Sequence, residues 1–127
     1  MVIIAVVTGS RYWSDYSAVI NAIKFIGPSL IIDGGAKGLD TLSEMAAKEL
    51  NINNITIMAN WNEHKKAAGP IRNRKMLSIR PDVVMAFHND LQNSRGTLDC
   101  VRAAIKIKIP IILFTTENDE LFFEKYY

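Results

Sequence analysis

Small and cationic side chains follow several apolar runs of this chain, and together such residues can bind a phosphate. Glycine lets backbone N–H groups approach an anion, a helix N-terminus adds partial positive charge, and Arg or Lys neutralises the remaining charge. A Ser or Thr hydroxyl adds a hydrogen bond. We therefore predict a phosphate-binding site, with the candidate residues Thr8, Gly9, Ser10, Arg11, Gly34, Gly35, Lys37, Gly38, Arg72, Asn73, Arg95, Gly96 and Thr97.

Each candidate also has a simpler explanation. The Gly34-Gly35-Ala36-Lys37-Gly38 run lacks the Gly-Lys-Ser/Thr of a P-loop, so it also fits a tight turn between a strand and a helix. Arg72 also fits the solvated face of a helix. The prediction depends on these segments meeting at one edge of the fold.

An alternation of short apolar runs with longer amphipathic segments predicts how the candidates are positioned. Strands are expected over residues 2–7, 30–32, 55–58, 83–87 and 109–114. Helices are expected over 15–26, 40–50, from about 68 to Pro81, and over 97–106, with Ser14 or Asp15 capping the first and Asp40 or Thr41 the second. Residues 60–66 and 88–95 are predicted loops.

This pattern predicts an α/β fold: a single Rossmann-like domain with a five-stranded, mainly parallel sheet and helices on both faces. The domain spans residues 1–127, with a core over 1–114 and a C-terminal extension over 115–127. In such sheets ligands bind beyond the carboxyl ends of the strands, where the strand order reverses.

Composition excludes several classes of protein. The 127 residues are 49% apolar and carry a net charge of only +2, so bulk charge gives no argument for coating nucleic acid or a membrane. One cysteine, Cys100, and two histidines provide neither a disulfide nor a zinc ligand set, and no metal or cofactor is predicted. We expect neither a secretion signal nor a membrane span, and a cytoplasmic location.

Aromatic residues near the loops leave alternatives open. Tyr12, Trp13 and Trp61 fit either stacking on a base or packing against a helix. His88 fits either a ligand contact or a surface loop, and Cys100 either a buried apolar position or a reactive thiol. The apolar C-terminus, with Phe122, Phe123, Tyr126 and Tyr127, is expected to be covered by the domain itself or by a second copy, which makes a homodimer the expected oligomer.

The motifs resemble those of the SLOG superfamily, and most closely its YspA-like branch of small stand-alone proteins, over residues 2–114. The resemblance is carried by Thr8-Gly9-Ser10-Arg11 with Trp13, Asp33-Gly34-Gly35-Ala36-Lys37-Gly38-Leu39-Asp40, Ala59-Asn60-Trp61, Ala67-Ala68-Gly69-Pro70-Ile71-Arg72-Asn73 with Met76, Ala86-Phe87, and Arg95-Gly96-Thr97 with Asp99. It implies a Rossmannoid domain that binds a nucleotide or a nucleotide-derived small molecule at the strand ends. It does not name the ligand.

The superfamily also includes the Lonely Guy phosphoribohydrolases, which cleave the N-glycosidic bond of nucleoside monophosphates. Arg72 matches the position of their catalytic arginine, but Cys100 occupies the position of their glutamate, with Asp99 one residue earlier. Their Pro-Gly-Gly is replaced here by the longer loop 88–94. Such hydrolysis needs a carboxylate, for which Asp99 and Asp40 are the candidates. Asp99 also fits a charge that complements a helix dipole, and Asp40 a helix cap.

Three functions follow from this resemblance. The first is a module that senses or sequesters a nucleotide-derived ligand. The alternative is a nucleotide N-glycosidase that uses Arg72 with Asp99 or Asp40. Binding of single-stranded DNA, as in the DprA-type DNA-processing members, is the third and fits the net charge of +2 less well.

Overall fold

One mixed sheet organises the computed structural model, which describes residues 2–126. Met1 and Tyr127, the ends of the predicted domain, lie outside the described residues. The strands are β1 (Ile4–Gly9), β2 (Leu30–Asp33), β3 (Asn53–Thr56), β4 (Val83–Phe87), β5 (Ile111–Glu117) and β6 (Glu120–Tyr126). Their order is β3-β2-β1-β4-β5-β6, with β1 to β5 parallel and β6 antiparallel to β5. The prediction of five strands is therefore wrong by one.

The sixth strand comes from the predicted C-terminal extension. Asn118 and Asp119 both have positive φ, 52° and 63°, which is the backbone of a two-residue hairpin turn. The turn reverses the chain, so that β6 pairs with β5 along all of its residues from Glu120 to Tyr126. Residues 115–126 of the predicted C-terminal extension are thus part of the sheet.

Five helices connect the strands: α1 (Tyr16–Ile26), α2 (Leu39–Glu49), the short α3 (Trp61–His64), α4 (Ala68–Leu77) and α5 (Gly96–Lys106). Single 3-10 turns occupy Lys65–Ala67 and Leu91–Asn93. The predicted loop 60–66 therefore contains α3, which Asn60 caps by accepting a hydrogen bond from the Glu63 N–H. No helix within residues 2–126 is both long and apolar enough to cross a bilayer.

The cap of α1 is as predicted and the cap of α2 is not. Asp15 accepts a hydrogen bond from the Ala18 N–H at 3.0 Å, and Gly27 ends α1 in the left-handed region. The residue that precedes α2 is Gly38, so neither Asp40 nor Thr41 is its N-cap. Asp40 lies within the first turn, where its side chain has another use.

Alternate residues of the strands face two apolar layers. Val7 and Phe87 pack with α1 and α2 on one face. Val6 and Val84 pack with α4 and α5 on the other. Because the chain leaves β1 for β2 on one side and returns to β4 on the other, the strand order reverses between β1 and β4, where such folds open a crevice.

Candidate functional site

A cleft of about 480 Å³ opens at the carboxyl ends of β1 and β4. The loops after β1, β2 and β4, one residue of α4 and the start of α5 all contribute to it. Its lining residues are Thr8, Gly9, Ser10, Arg11, Tyr12, Ala36, Asp40, Arg72, His88, Asp90, Asn93, Ser94, Arg95, Gly96 and Thr97. Nine of the residues predicted to bind or to act on a ligand therefore surround one space.

The loop after β1 is fixed by Ser10. Its N–H donates to the Phe87 carbonyl at 2.9 Å, which ties the loop to β4. Its carbonyl accepts from the Leu39 N–H at 3.0 Å, which ties the loop to α2. Ser10 Oγ also accepts from the Tyr12 N–H at 3.0 Å. Arg11 and Tyr12 are thus presented by a backbone that is held from two sides.

The glycines after β2 pack the loops together rather than face the cleft. Gly38 has a φ of +72°, and a Cβ there would lie 2.2 Å from the Arg11 carbonyl oxygen. The turn after β2 therefore supports the loop after β1 at a distance that only glycine permits. Gly34, Gly35 and Gly38 are absent from the lining.

Asp40, which lines the cleft, stabilises the turn after β2. Its Oδ2 accepts from the Gly34 and Ala36 N–H groups, each at 3.2 Å, and the residue is only 5% exposed. Burial and the neighbouring Asp33 raise the pKa of Asp40, the two N–H groups and Arg72 lower it, and the net result is a pKa of about 6. Asp40 is therefore a carboxyl group that changes charge near neutral pH inside the cleft.

Arg72 reaches the cleft from α4 with its guanidinium already oriented. Nη1 donates to the Gly34 carbonyl at 2.8 Å and Nε donates to Asn73 Oδ1 at 3.0 Å. Nη2 donates to no described residue, so its two N–H groups remain for a ligand. A Cβ on Gly34 would lie 2.3 Å from Nη1, so the guanidinium rests directly on this glycine.

The first turn of α5 forms the opposite wall. Ser94 Oγ accepts from the Thr97 N–H at 3.1 Å, and Gly96 and Thr97 line the cleft at the positive end of the helix dipole. Thr97 and, across the cleft, Thr8 are only 4% and 8% exposed. Neither hydroxyl bonds to another described residue, which leaves both available to a bound anion.

Tyr12 and His88 complete the lining. Tyr12 is 86% exposed, whereas Trp13 is buried and packs edge-on against Phe87 with ring centroids 5.6 Å apart. Tyr12 rather than Trp13 is thus the aromatic available for stacking. His88 Nδ1 accepts from the Asp90 N–H at 2.9 Å, and burial lowers the pKa of His88 although Asp90 opposes this effect. Neutral His88 therefore carries its proton on Nε2.

Asp99 is not among the lining residues. Both of its carboxylate oxygens accept from Arg74, the shortest N···O distance being 3.0 Å, and Oδ2 also accepts from Asn73. Burial alone would raise the pKa of Asp99, but the hydrogen bonds from Arg74 and Asn73 outweigh burial and lower it. Asp99 is thus the ion-pair partner of Arg74.

Three further predicted residues do not reach the cleft. Lys37 is exposed outside it and Asn73 is buried behind Arg72. Cys100 is fully buried between the sheet and the helices α4 and α5, and burial raises the pKa of its thiol to about 12, so it behaves as an apolar core residue. Within residues 2–126, no group of three or more His, Cys, Asp or Glu side chains is arranged to hold a metal.

The prediction missed four lining residues: Ala36, Asp90, Asn93 and Ser94. Ser94 carried a usable signal, because Ser is a favoured capping residue just before a helix. Asp90 and Asn93 carried none, since they belong to a loop whose conformation comes from its own hydrogen bonds, such as those between Asn93 Nδ2 and the Asp90 carboxylate. The cleft as a whole holds three arginines, Arg11, Arg72 and Arg95, against the carboxyl groups of Asp40 and Asp90.

Comparison with known proteins identifies relatives of this chain. No protein-family model matches it. The structure of DNA processing protein A (DprA) from Streptococcus pneumoniae superposes with a TM-score of 0.72 over 88% of this chain, at 19% identity, and this chain spans 50% of that one. That likeness shows a DprA-like Rossmannoid fold and no specific function. The Gene 61 protein of Mycobacterium phage D29 is 34% identical over 118 residues, which cover 85% of this chain and 93% of the phage protein. By this identity and coverage, the chain belongs to the family of the phage D29 Gene 61 protein.

Proposed function

We propose that the cleft binds a nucleotide or a nucleotide-derived phosphorylated small molecule, and that the protein acts as a sensor or sequestering module for it. One observation carries this proposal. The cleft of about 480 Å³ is lined by the start of α5 and by three arginines from separate segments, Arg11, Arg72 and Arg95. This volume is within the usual range for small-molecule sites.

The lining suggests how the ligand lies. The phosphate belongs against Gly96 and Thr97, because the Gly96 N–H, the Thr97 hydroxyl, the helix dipole and Arg95 all favour an anion there. Nη2 of Arg72 supplies a charged donor from the other wall. The exposed ring of Tyr12 is the surface on which a base can stack.

The motifs after β1 and β2 and at the start of α4 support a finer assignment of the chain to the SLOG superfamily and its YspA-like branch. That assignment favours a nucleotide-derived ligand over inorganic phosphate. The single cysteine favours a reducing cytoplasm as the compartment.

Thermal unfolding with a ligand panel tests the proposed function. The panel contains nucleoside mono- and diphosphates, inorganic phosphate and pyrophosphate. At a concentration a hundredfold above its Kd, a true ligand stabilises the fold by about 2.7 kcal/mol. Arg72→Ala should abolish that stabilisation, whereas Arg102→Ala, which removes an equal charge from an exposed site on α5 outside the cleft, should retain it. A panel without any shift, or an unaltered shift in Arg72→Ala, would refute the proposal.

Asp40 gives the hydrolase alternative a specific basis. Its carboxyl group lines the cleft with Arg72, its Oδ1 accepts no hydrogen bond from a described residue, and its pKa of about 6 suits a group that exchanges protons near neutral pH. In this second candidate function, Arg72 holds the phosphate of a nucleoside monophosphate and Asp40 activates water or stabilises the ribosyl cation. Chromatography should then detect free base from wild-type protein and none from Asp40→Asn. If the wild type releases no free base, the hydrolase alternative is excluded and the binding module remains the proposed function.

Binding of single-stranded DNA can be tested in the same panel. DNA processing is in the name of the DprA structure, but the net charge of +2 gives this chain little long-range attraction for a polyanion. We expect an unlabelled oligonucleotide not to compete with a bound nucleotide at 150 mM salt. Competition that weakens steeply with salt would favour DNA as the natural ligand.

We also propose that the protein is a homodimer. Phe122, Phe123 and Tyr126 on the edge strand β6 are 46%, 48% and 39% exposed, and Phe25 of α1 contacts Phe123 with ring centroids 5.8 Å apart. Apolar exposure along an unpaired strand edge favours a covering partner. Light scattering after size-exclusion chromatography should give twice the 14.2 kDa chain mass. A monomer mass at all concentrations would exclude the dimer.

A further inference from the structure

Asn73 connects the two walls of the cleft through one buried amide. The residue is 1% exposed. Its Oδ1 accepts from Arg72 Nε at 3.0 Å, and its Nδ2 donates to the Gly96 carbonyl at 3.1 Å and to Asp99 Oδ2 at 3.0 Å. Both amide protons and the carbonyl oxygen are therefore in use, and they join α4 to the first turn of α5.

The orientation of this amide is determined by its partners. A flipped amide would place two N–H groups against the Nε–H of Arg72 and would turn its oxygen toward the Gly96 carbonyl and the Asp99 carboxylate. Asp99 cannot turn away, because Arg74 holds both of its oxygens at 3.0 to 3.3 Å. Only the observed orientation of the amide gives a hydrogen-bond partner to the Nε–H of Arg72, the Gly96 carbonyl and the Asp99 carboxylate.

We infer that Asn73 is the positioning residue of the cleft: it holds the Arg72 guanidinium and the first turn of α5 at the one spacing at which both face the same bound phosphate. The inference rests on the proposed function. It also assigns Asn73 and Asp99 a role different from ligand contact or catalysis, since neither side chain lines the cleft.

The physical reason is that the two phosphate-binding groups belong to different helices. The hydrogen bond from Arg72 to the Gly34 carbonyl would by itself leave the long side chain free to pivot. The bond from Nε to Asn73 fixes the guanidinium plane, and the bond from Asn73 to Gly96 sets that plane relative to α5. A preorganised pair of donors binds an anion more tightly than the same donors when each must be ordered on binding.

Asn73→Asp is the informative substitution because it retains the acceptor for Arg72 and replaces the donor alone. The new carboxylate oxygen would face the Gly96 carbonyl and the Asp99 carboxylate, and two adjacent carboxylates retain a shared proton at acidic pH. At pH 8 we expect the affinity for adenosine monophosphate to fall about tenfold. As the pH falls toward 5.5, the shared proton restores a donor, so the affinity of the variant should approach that of wild type. Asn21→Asp, on the exposed face of α1, is the matched control and should bind as wild type at both pH values.

The double variant Asn73→Asp with Asp99→Asn provides the rescue. The substitution at position 99 offers an amide donor to the new carboxylate and restores a bond to the first turn of α5, although the Gly96 carbonyl remains without a donor. Affinity at pH 8 should therefore recover in part, to about threefold below wild type. A general loss of stability would not be repaired in this way, because the second substitution also removes the Arg74–Asp99 ion pair. Failure of the double variant to regain affinity would overturn the inference.

A measurement without ligand separates this inference from the proposed function. In ¹⁵N-labelled protein, the Nε–H of Arg72 should exchange slowly with water, unlike those of the exposed Arg11 and Arg95. Its protection should disappear in Asn73→Ala, which removes the acceptor, and persist in Asn73→Asp, which retains it. If protection follows this pattern but adenosine monophosphate and the other nucleotides do not bind wild type, the proposed function is refuted. The hydrogen bonds of Asn73 between α4 and α5 are then still supported. If Asn73→Asp binds nucleotide as wild type at pH 8, the positioning role fails and the proposed function stands.

Discussion

Gly34→Ala moves Arg72 without removing its charge, and it therefore tests whether the position of this guanidinium matters. Gly34 does not have a positive φ, so its backbone accepts alanine without strain. The added Cβ, however, would lie 2.3 Å from Arg72 Nη1, 2.7 Å from Cζ and 2.9 Å from Nε. The guanidinium must therefore leave the Gly34 carbonyl, to which Nη1 now donates at 2.8 Å.

The size of the effect follows from the bonds that are lost. A hydrogen bond to a charged group contributes about 1.5 to 3 kcal/mol, so a displaced Arg72 that no longer reaches the phosphate lowers affinity roughly 10- to 100-fold. The cost to the fold is the lost bond from Arg72 Nη1 to the Gly34 carbonyl, about 1 to 3 kcal/mol, since the atoms that the Cβ would meet are the end of a flexible side chain. At ~4 °C per kcal/mol for a chain of this size, the Tm falls by roughly 4 to 12 °C.

Gly27→Ala provides the control for lost stability. Gly27 ends α1 with a φ of +68°, and an added Cβ there meets no atom within 4 Å, so alanine costs about 1 to 2 kcal/mol from backbone strain alone. Isothermal titration of adenosine monophosphate should show weakened binding for Gly34→Ala and wild-type binding for Gly27→Ala. Equal affinity of the two variants would refute the assignment of Arg72 to the phosphate.

Three further outcomes are expected. Because Asp40 holds its proton more tightly in the folded state, its contribution to the free energy of unfolding is complete below pH 3.8 and is lost, by about 3 kcal/mol in all, as the pH rises from there through 6; urea unfolding of Asp40→Asn should lack this decrease. Gly96→Ala should raise the Tm, since alanine favours the helix and its Cβ meets no protein atom within 4 Å, yet should weaken nucleotide binding because Gly96 lines the cleft; unchanged affinity would place the phosphate elsewhere. Cys100, buried and with a pKa of about 12, should react with a disulfide reagent at pH 8 only after denaturation, and rapid labelling of the native protein would contradict its position.

The sequence predicted best those elements whose signals are local. The strand over 83–87 was predicted to the residue, because five apolar residues stand between Asp82 and His88 and are all buried. The helix predicted over 15–26, with Ser14 or Asp15 as its cap, spans Tyr16 to Ile26 with Asp15 as the cap. In both, propensity, periodicity and the ends of the element indicate the same structure.

The missed elements depend on partners distant in sequence. The strand β3 begins at Asn53 rather than at Ile55, because the Asn54 amide donates to the Ile31 carbonyl and to Asp33 of the neighbouring strand. The strand β6 is mostly exposed, and its Asn118-Asp119 turn lacks the glycine that commonly indicates a hairpin. Edge strands gain their stability from one neighbour only, and the apolar pattern of their own residues is correspondingly weak.

Individual side chains of the site also depend on partners distant in sequence, so their positions could not be predicted from residue type. The helix predicted from about residue 68 to Pro81 includes Arg72, Asn73 and Arg74, but consecutive residues of an α-helix point about 100° apart. The three therefore cannot share one surface: Arg72 enters the cleft, Asn73 is buried between the helices, and Arg74 pairs with Asp99. Residue type alone cannot separate a cation that binds ligand from one that holds another side chain, since both need the same charge. Applied to the sequence, helical spacing implies only that adjacent residues of this helix face different surroundings.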